Sequence, residues 1–219
     1  MNFIINFFLV LTNLISLSNA SPYRFFFIGR RIDMNGNTDL HKAAGEGDFD
    51  RVIEFYVNGE NMDIENFSRD TPLCEAAFYG HEDVAKFLIN VGADVNHQGC
   101  GLKTPLYQAA FNGKARMVEL LLNRGANIDL RNHIGWTPLF AACRFGHEAI
   151  VKKLLQYGAK VNLTDETGRS LQAVVELSGN INIINMIAEA MNEQNPSENT
   201  TYPCDLKEID ENTWICYGD

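Results

Sequence analysis

Basic residues are in short supply, with 18 Lys and Arg against 28 Asp and Glu for a net charge of −10. That balance argues against generic nucleic-acid binding, which draws affinity from a basic surface that displaces counterions from phosphate. The chain has no Cys-x-x-Cys, no His-Glu-x-x-His and no glycine-rich phosphate loop, the spacings that those metal and nucleotide chemistries need. Its histidines and five cysteines are dispersed, with no spacing that favours a nucleophile and its base. The sequence therefore predicts no enzyme, no cofactor and no metal site. A long hydrophobic run is missing too, since the apolar opening from Phe3 to Leu17 is broken by Asn6, Thr12, Asn13 and Ser16. It falls short of the roughly 20 residues that span a bilayer. With 46% hydrophobic and 21% charged residues, the chain is nonetheless neither disordered nor an integral membrane bundle.

Charge divides what is there into three zones. Residues 1–32 hold Arg24, Arg30, Arg31 and no acid, whereas residues 192–219 hold seven acids and a single base, Lys207. The stretch between them has 21 acids and 14 bases. The uncharged opening ends in Ser18-Asn19-Ala20, small at the −3 and −1 positions of a secretory cleavage site. Residues 1–20 are expected to be a signal peptide cleaved after Ala20, which predicts a secreted protein. The alternative is an N-terminal anchor with membrane contact through residues 3–20. The arginines of the basic, aromatic lead-in at 21–32 would then hold the rest of the chain in the cytoplasm. A buried or amphipathic N-terminal cap is a third reading.

The middle zone repeats itself. Hydroxyl residues fall at Thr38, Thr71, Thr104, Thr137 and Ser170, always 33 apart, and Gly47, Gly80, Gly113, Gly146 and Gly179 keep the same step. A second series runs through Gly59, Gly92, Gly125 and Gly158. The hydroxyl can satisfy an orphan amide at a helix start, and Pro72, Pro105 and Pro138 suit the first helical position because they lack one. Val84, Phe87 and Leu88, at i, i+3 and i+4, give a second helix one apolar face. No unit of this size buries that face alone, so neighbouring units must share a core.

The segments Thr71-Pro72-Leu73-Cys74-Glu75-Ala76-Ala77, Thr104-Pro105-Leu106-Tyr107-Gln108-Ala109-Ala110 and Gly92-Ala93-Asp94-Val95-Asn96 resemble the ankyrin repeat. The resemblance implies an all-α solenoid of stacked helix-turn-helix units with β-hairpin-like finger loops, running from 33 to 191. Five repeats are expected, at about 33–65, 66–98, 99–131, 132–164 and 165–191. The first and last depart from the pattern, as terminal caps do. The third finger, around Gly99-Cys100-Gly101-Leu102, lacks the usual Asp-x-x-Gly order.

By the same resemblance, the chain is a monomeric module that binds a protein, and not nucleic acid, through finger tips and the concave inner-helix surface. Carried onto this sequence, that surface takes Phe78, Tyr79, Phe111, Asn112, Arg144 and Phe145 from the inner helices. Phe67, Asp70, Lys103, His133, Ile134 and Trp136 come from the fingers. The aromatics among them are expected to form one stripe, since exposed apolar patches and aromatic anchors mark interfaces. His81 and His147 follow the repeat glycine, as ankyrin histidines do, and are expected to be structural. Cys74 and Cys143 are expected to be buried thiols. In the acidic tail at 192–219, Cys204 and Cys216 could pair if the chain is exported. The tail itself reads as a docking peptide, a segment folded onto the last repeat, or a disordered end.

Overall fold

The computed structural model describes residues 32–194, together with the backbone of two strands, Asp205–Asp210 and Thr213–Tyr217. The described repeats fall within one compact unit that begins at residue 32. The expected signal or anchor segment and most of the lead-in lie outside the described residues, as does Cys204 with the question of its pairing.

Ten α-helices among the described residues alternate between an inner and an outer row. The inner helices are α1 (Asp39–Glu46), α3 (Pro72–Tyr79), α5 (Pro105–Phe111), α7 (Pro138–Arg144) and α9 (Leu171–Ser178). The outer ones are α2 (Phe49–Val57), α4 (Glu82–Asn90), α6 (Ala115–Asn123), α8 (Glu148–Gln156) and α10 (Ile181–Gln194). Each inner helix starts at its 33-periodic hydroxyl. Thr38, Thr104, Thr137 and Ser170 accept the amides of His41, Tyr107, Phe140 and Ala173 respectively. Thr71 departs from this pattern and donates its hydroxyl to Cys74 Sγ at 3.5 Å instead.

Small side chains let the inner helices stack closely. Ala43, Ala76, Ala109 and Ala142 are wholly buried, and Leu73, Leu106 and Leu139 fill the seam beside them. Val84, Leu88, Val118, Leu121, Val151 and Leu154 close the core from the outer row, the faces that the apolar spacing predicts. Between repeats, side chains on the return loops tie successive units. Asp63 accepts the amide of Asp94, Asn96 that of Asn127 and Asp129 that of Lys160. In the last repeat α10 continues three residues beyond the expected end at Met191. There the Gln194 amide donates to Ala159 O at 2.9 Å and accepts from Val161 N at 3.2 Å. One side chain thus satisfies two backbone groups of the last return loop among the described residues.

The fingers are tight turns closed by a backbone bond spanning four residues, from Asp33 N, Asn66 N, Gly99 N, Asn132 N and Asp165 N to the carbonyls of residues 37, 70, 103, 136 and 169. Neighbouring fingers bond to one another as strands do, with Phe67 N donating to Asn35 O, His133 N to Gly101 O and Glu166 N to Ile134 O. In the tail, β1 (Asp205–Asp210) and β2 (Thr213–Tyr217) pair antiparallel, with Leu206 opposite Cys216 and Glu208 opposite Trp214. The sequence pattern did not reveal these strands, which are five and six residues long with mixed polarity.

Candidate functional site

The site is built on the inner row, whose helices carry the same positions outward in every repeat. On the fingers, Phe67 is the most exposed ring at 72%, and Leu102 and Ile134 are exposed too. Lys103 is half-buried, while His133 is exposed and bonds Gly101 O through Nδ1 at 3.1 Å. Asp70 is less free than its surface position suggests. Its Oδ1 accepts the amide of Cys100 at 3.1 Å, and its carbonyl faces His41 Nε2 at 2.9 Å.

Two sets of ring contacts lie among the aromatics of the inner row. Phe78 and Tyr79 meet edge to face with centroids 4.9 Å apart. Phe111 meets Phe145 of the next repeat at 4.4 Å and stacks towards Tyr107 at 6.2 Å. Trp136 is half-buried. It stacks towards Phe140 of its own repeat at 6.3 Å, and its indole N–H points to Asp165 Oδ2 at 3.5 Å. Its hydrogen bond draws it back into the array. Asn112 likewise returns its side chain to Gln108 O at 2.8 Å, whereas Arg144 and Phe145 are exposed.

The histidines tie repeats together. His81 Nε2 lies 2.9 Å from Gly45 O, and His147 Nε2 lies 3.0 Å from Phe111 O, each reaching the carbonyl end of the preceding inner helix. His41 is buried between Thr38 and Asp70, and burial lowers its pKa, which favours the neutral ring. Burial pushes the Cys74 and Cys143 thiols up to about 12, so neither is a thiolate at neutral pH. Cys100 sits exposed on the third finger. Among the described residues, no three His, Cys, Asp or Glu side chains gather as metal ligands would.

One feature escaped the sequence reading: Gly45 stands where later repeats carry Phe78, Phe111, Arg144 and Leu177. It opens a cleft of about 350 Å³ lined by Glu75, Tyr79, Lys42 and His41, among others. Burial, with Asp70 and Asp33 nearby, raises the Glu75 pKa. The missing side chain at 45 was the available signal.

A row of helix pairs held edge to edge by fingers and return loops defines a repeat solenoid, a fold whose stability and surface are both shared between neighbours. This chain belongs to the ankyrin-repeat family: the family model described as ankyrin repeats (3 copies) matches residues 14–99 and 95–165. It is 40% identical over 62 residues to alpha-latrotoxin-Lh1a of Latrodectus hasselti, a match covering 28% of this chain and 4% of that protein. It is also 41% identical over 58 residues to putative glutaminase 2 of Caenorhabditis elegans, covering 26% of this chain and 9% of that protein. The chain therefore spans less than a tenth of either relative's length. Ankyrin arrays are generally protein–protein interaction modules and typically non-catalytic.

Proposed function

We propose that this chain is a non-enzymatic interaction module, exported or membrane-associated, that binds a protein partner through its inner-helix and finger face. The observation that carries the reading is the pair Phe111–Phe145. Two rings from adjacent repeats lie 4.4 Å apart, and Phe145 remains 47% exposed beside the exposed Arg144. Aromatic and Arg side chains held rigidly at the centre of a surface supply most of the energy of typical interfaces. Partner capture with the full chain, followed by titration, tests the reading. Phe145→Ala, alone and with Phe111→Ala, is expected to weaken binding at least tenfold with a folded circular-dichroism spectrum retained. Unchanged affinity for the captured partner overturns it.

Export rests on the uncharged residues 1–20 with Ser18 and Ala20 at the cleavage positions. The arginines at 24, 30 and 31 favour instead a tether with cytoplasmic repeats. Among the described residues no helix is long and apolar enough to cross a membrane. Intact mass of the natural protein separates the two: a start at Ser21 supports export, and Met1 retained in a membrane fraction supports the tether.

A further inference from the structure

The cleft beneath Gly45 combines features that the repeat does not require. Gly45 lies within α1 and is not among the glycines with positive φ, so no left-handed turn demands glycine there. It is also the poorest helix-interior residue after proline. A Cβ at that position would stand 3.3 Å from Tyr79 Cε2 and 3.7 Å from Glu75 Oε2. That approach to the ring is tighter than an ordinary contact, so glycine at 45 lets the Tyr79 ring close against α1, and the cleft beside it is bounded by that ring and the Glu75 carboxylate. The other charged groups around it are already engaged. Lys42 Nζ lies 3.8 Å from Asp39, Glu46 lies 3.5 Å from Arg51, and both ring nitrogens of His41 are taken by Thr38 and Asp70. The Glu75 carboxylate has neither a hydrogen bond nor an ion pair among the described residues.

A half-buried carboxylate without a partner is a cost to the free protein, which a ligand cation removes. The negative neighbours Asp70 and Asp33 exclude an anionic ligand by simple repulsion. A flat ring beside a carboxylate suits a planar, delocalised cation better than a compact ammonium, because guanidinium can stack on the ring while its N–H fork meets both carboxylate oxygens. We infer that the Gly45–Glu75–Tyr79 cleft receives an arginine side chain of the bound protein. This deepens the reading of the inner-helix face as the interaction surface, and it rests on that reading.

N-acetyl-arginine N-methylamide, titrated into the isotope-labelled full chain, provides the test. Saturable amide shifts at Gly45, Glu75 and Tyr79 are expected with affinity of about a millimolar, as suits so small a ligand. The uncharged citrulline analogue is expected to bind at least tenfold more weakly. Glu75→Gln keeps the shape of the side chain and relieves a desolvated charge. It is expected to raise the thermal midpoint while weakening the arginine amide at least tenfold. Equal binding of the citrulline compound, absence of shifts at the three amides, or unchanged binding by Glu75→Gln overturns the inference. Against the captured partner, release by Phe145→Ala but not by Glu75→Gln overturns the arginine cleft while the interaction face stands. Release by Glu75→Gln but not by Phe145→Ala overturns the aromatic anchor and supports the cleft. If the arginine amide binds but the partner ignores Glu75→Gln, the cleft serves a free guanidinium compound and the proposed occupant is wrong.

Discussion

The fifth finger closes on its own side chain, and the third closes on its neighbour's. Asp165 is buried at the base of its finger. Its Oδ1 accepts the amides of Thr167 and Arg169 and the Thr167 hydroxyl, while its Oδ2 meets the Arg169 guanidinium at 2.9 Å. The third finger has Gly99 at the same register, so no side chain bridges its amides. It tightens into a 3-10 turn at Cys100–Leu102, and Asp70 of the second finger reaches across to the Cys100 amide. One backbone outline thus has two origins. A finger that carries its own acceptor is locally determined, whereas one that borrows it is stable only once its neighbour is in place.

The largest effect is expected where the most bonds converge. Asp165→Ala removes the carboxylate that accepts the Thr167 and Arg169 amides and the Thr167 hydroxyl, and leaves Arg169 without its ion pair, at a cost of about 3 kcal/mol read from urea midpoints. The Thr167 hydroxyl bond and the Arg169 and Thr167 amides hold the Asp165 carboxyl well below the usual carboxylate range. With the folded pKa depressed, its contribution is fully present above the unfolded value of about 4 and is lost as pH falls towards the folded one. The stability gap between the natural chain and Asp165→Asn is therefore expected to narrow as pH drops from 5 towards 2. A gap independent of pH breaks the claim that the ionised group is what closes this finger.

Swapping the two designs tests the third finger more directly. Asp70→Ala removes one charge-assisted bond across the fingers and is expected to cost about 1 kcal/mol. Gly99→Asn, which supplies the missing local acceptor, is destabilising by itself, because its Cβ would collide with Asp70 Oδ1. Combined, the two substitutions remove the collision with the carboxylate, though the Cα of residue 70 still stands 3.1 Å from the new Cβ, and restore a local closure, so they are expected to be less costly than their sum by about 1 kcal/mol. Simple additivity in that double-mutant cycle means the borrowed bond is incidental.

Much of this fold was legible because a 33-residue period puts caps, alanines and finger residues in columns, and each column has a local physical meaning. Thr104 caps whatever helix follows it, wherever that helix packs. What escaped depends on contacts between columns. Gly45 and Glu75 lie 30 residues apart and face each other only after α1 and α3 stack. Asp70 and Cys100 meet only when two fingers stand side by side. The spacing puts Trp136 on the aromatic face, and Asp165, one repeat later, gives its N–H a partner. Of the proposed anchors, Phe111 and Phe145 do meet, since their positions are adjacent in neighbouring repeats. Phe78 and Tyr79, neighbours in sequence, meet each other as well.

The smallest effect concerns the fourth position of each finger, where the backbone turns left-handed throughout. Gly36, Gly135 and Gly168 take φ of 77°, 81° and 81°, but Arg69 and Leu102 are held at 64° and 58°. A residue with a Cβ pays about 1–2 kcal/mol for that conformation, partly offset because glycine would lose about 0.5–1 kcal/mol more entropy on folding. Arg69→Gly and Leu102→Gly are each expected to stabilise the chain by about 0.5 kcal/mol, a shift in urea midpoint resolvable in the double variant. Both side chains are exposed, so neither substitution opens the core. Strain kept at exposed positions in two successive fingers, where other fingers use glycine, is the pattern of side chains retained for something other than stability. If the glycine variants are more stable and bind the captured partner less well, Arg69 and Leu102 extend the interaction surface beyond the inner helices. If they are more stable and bind equally, the second and third fingers differ from the others in strain alone.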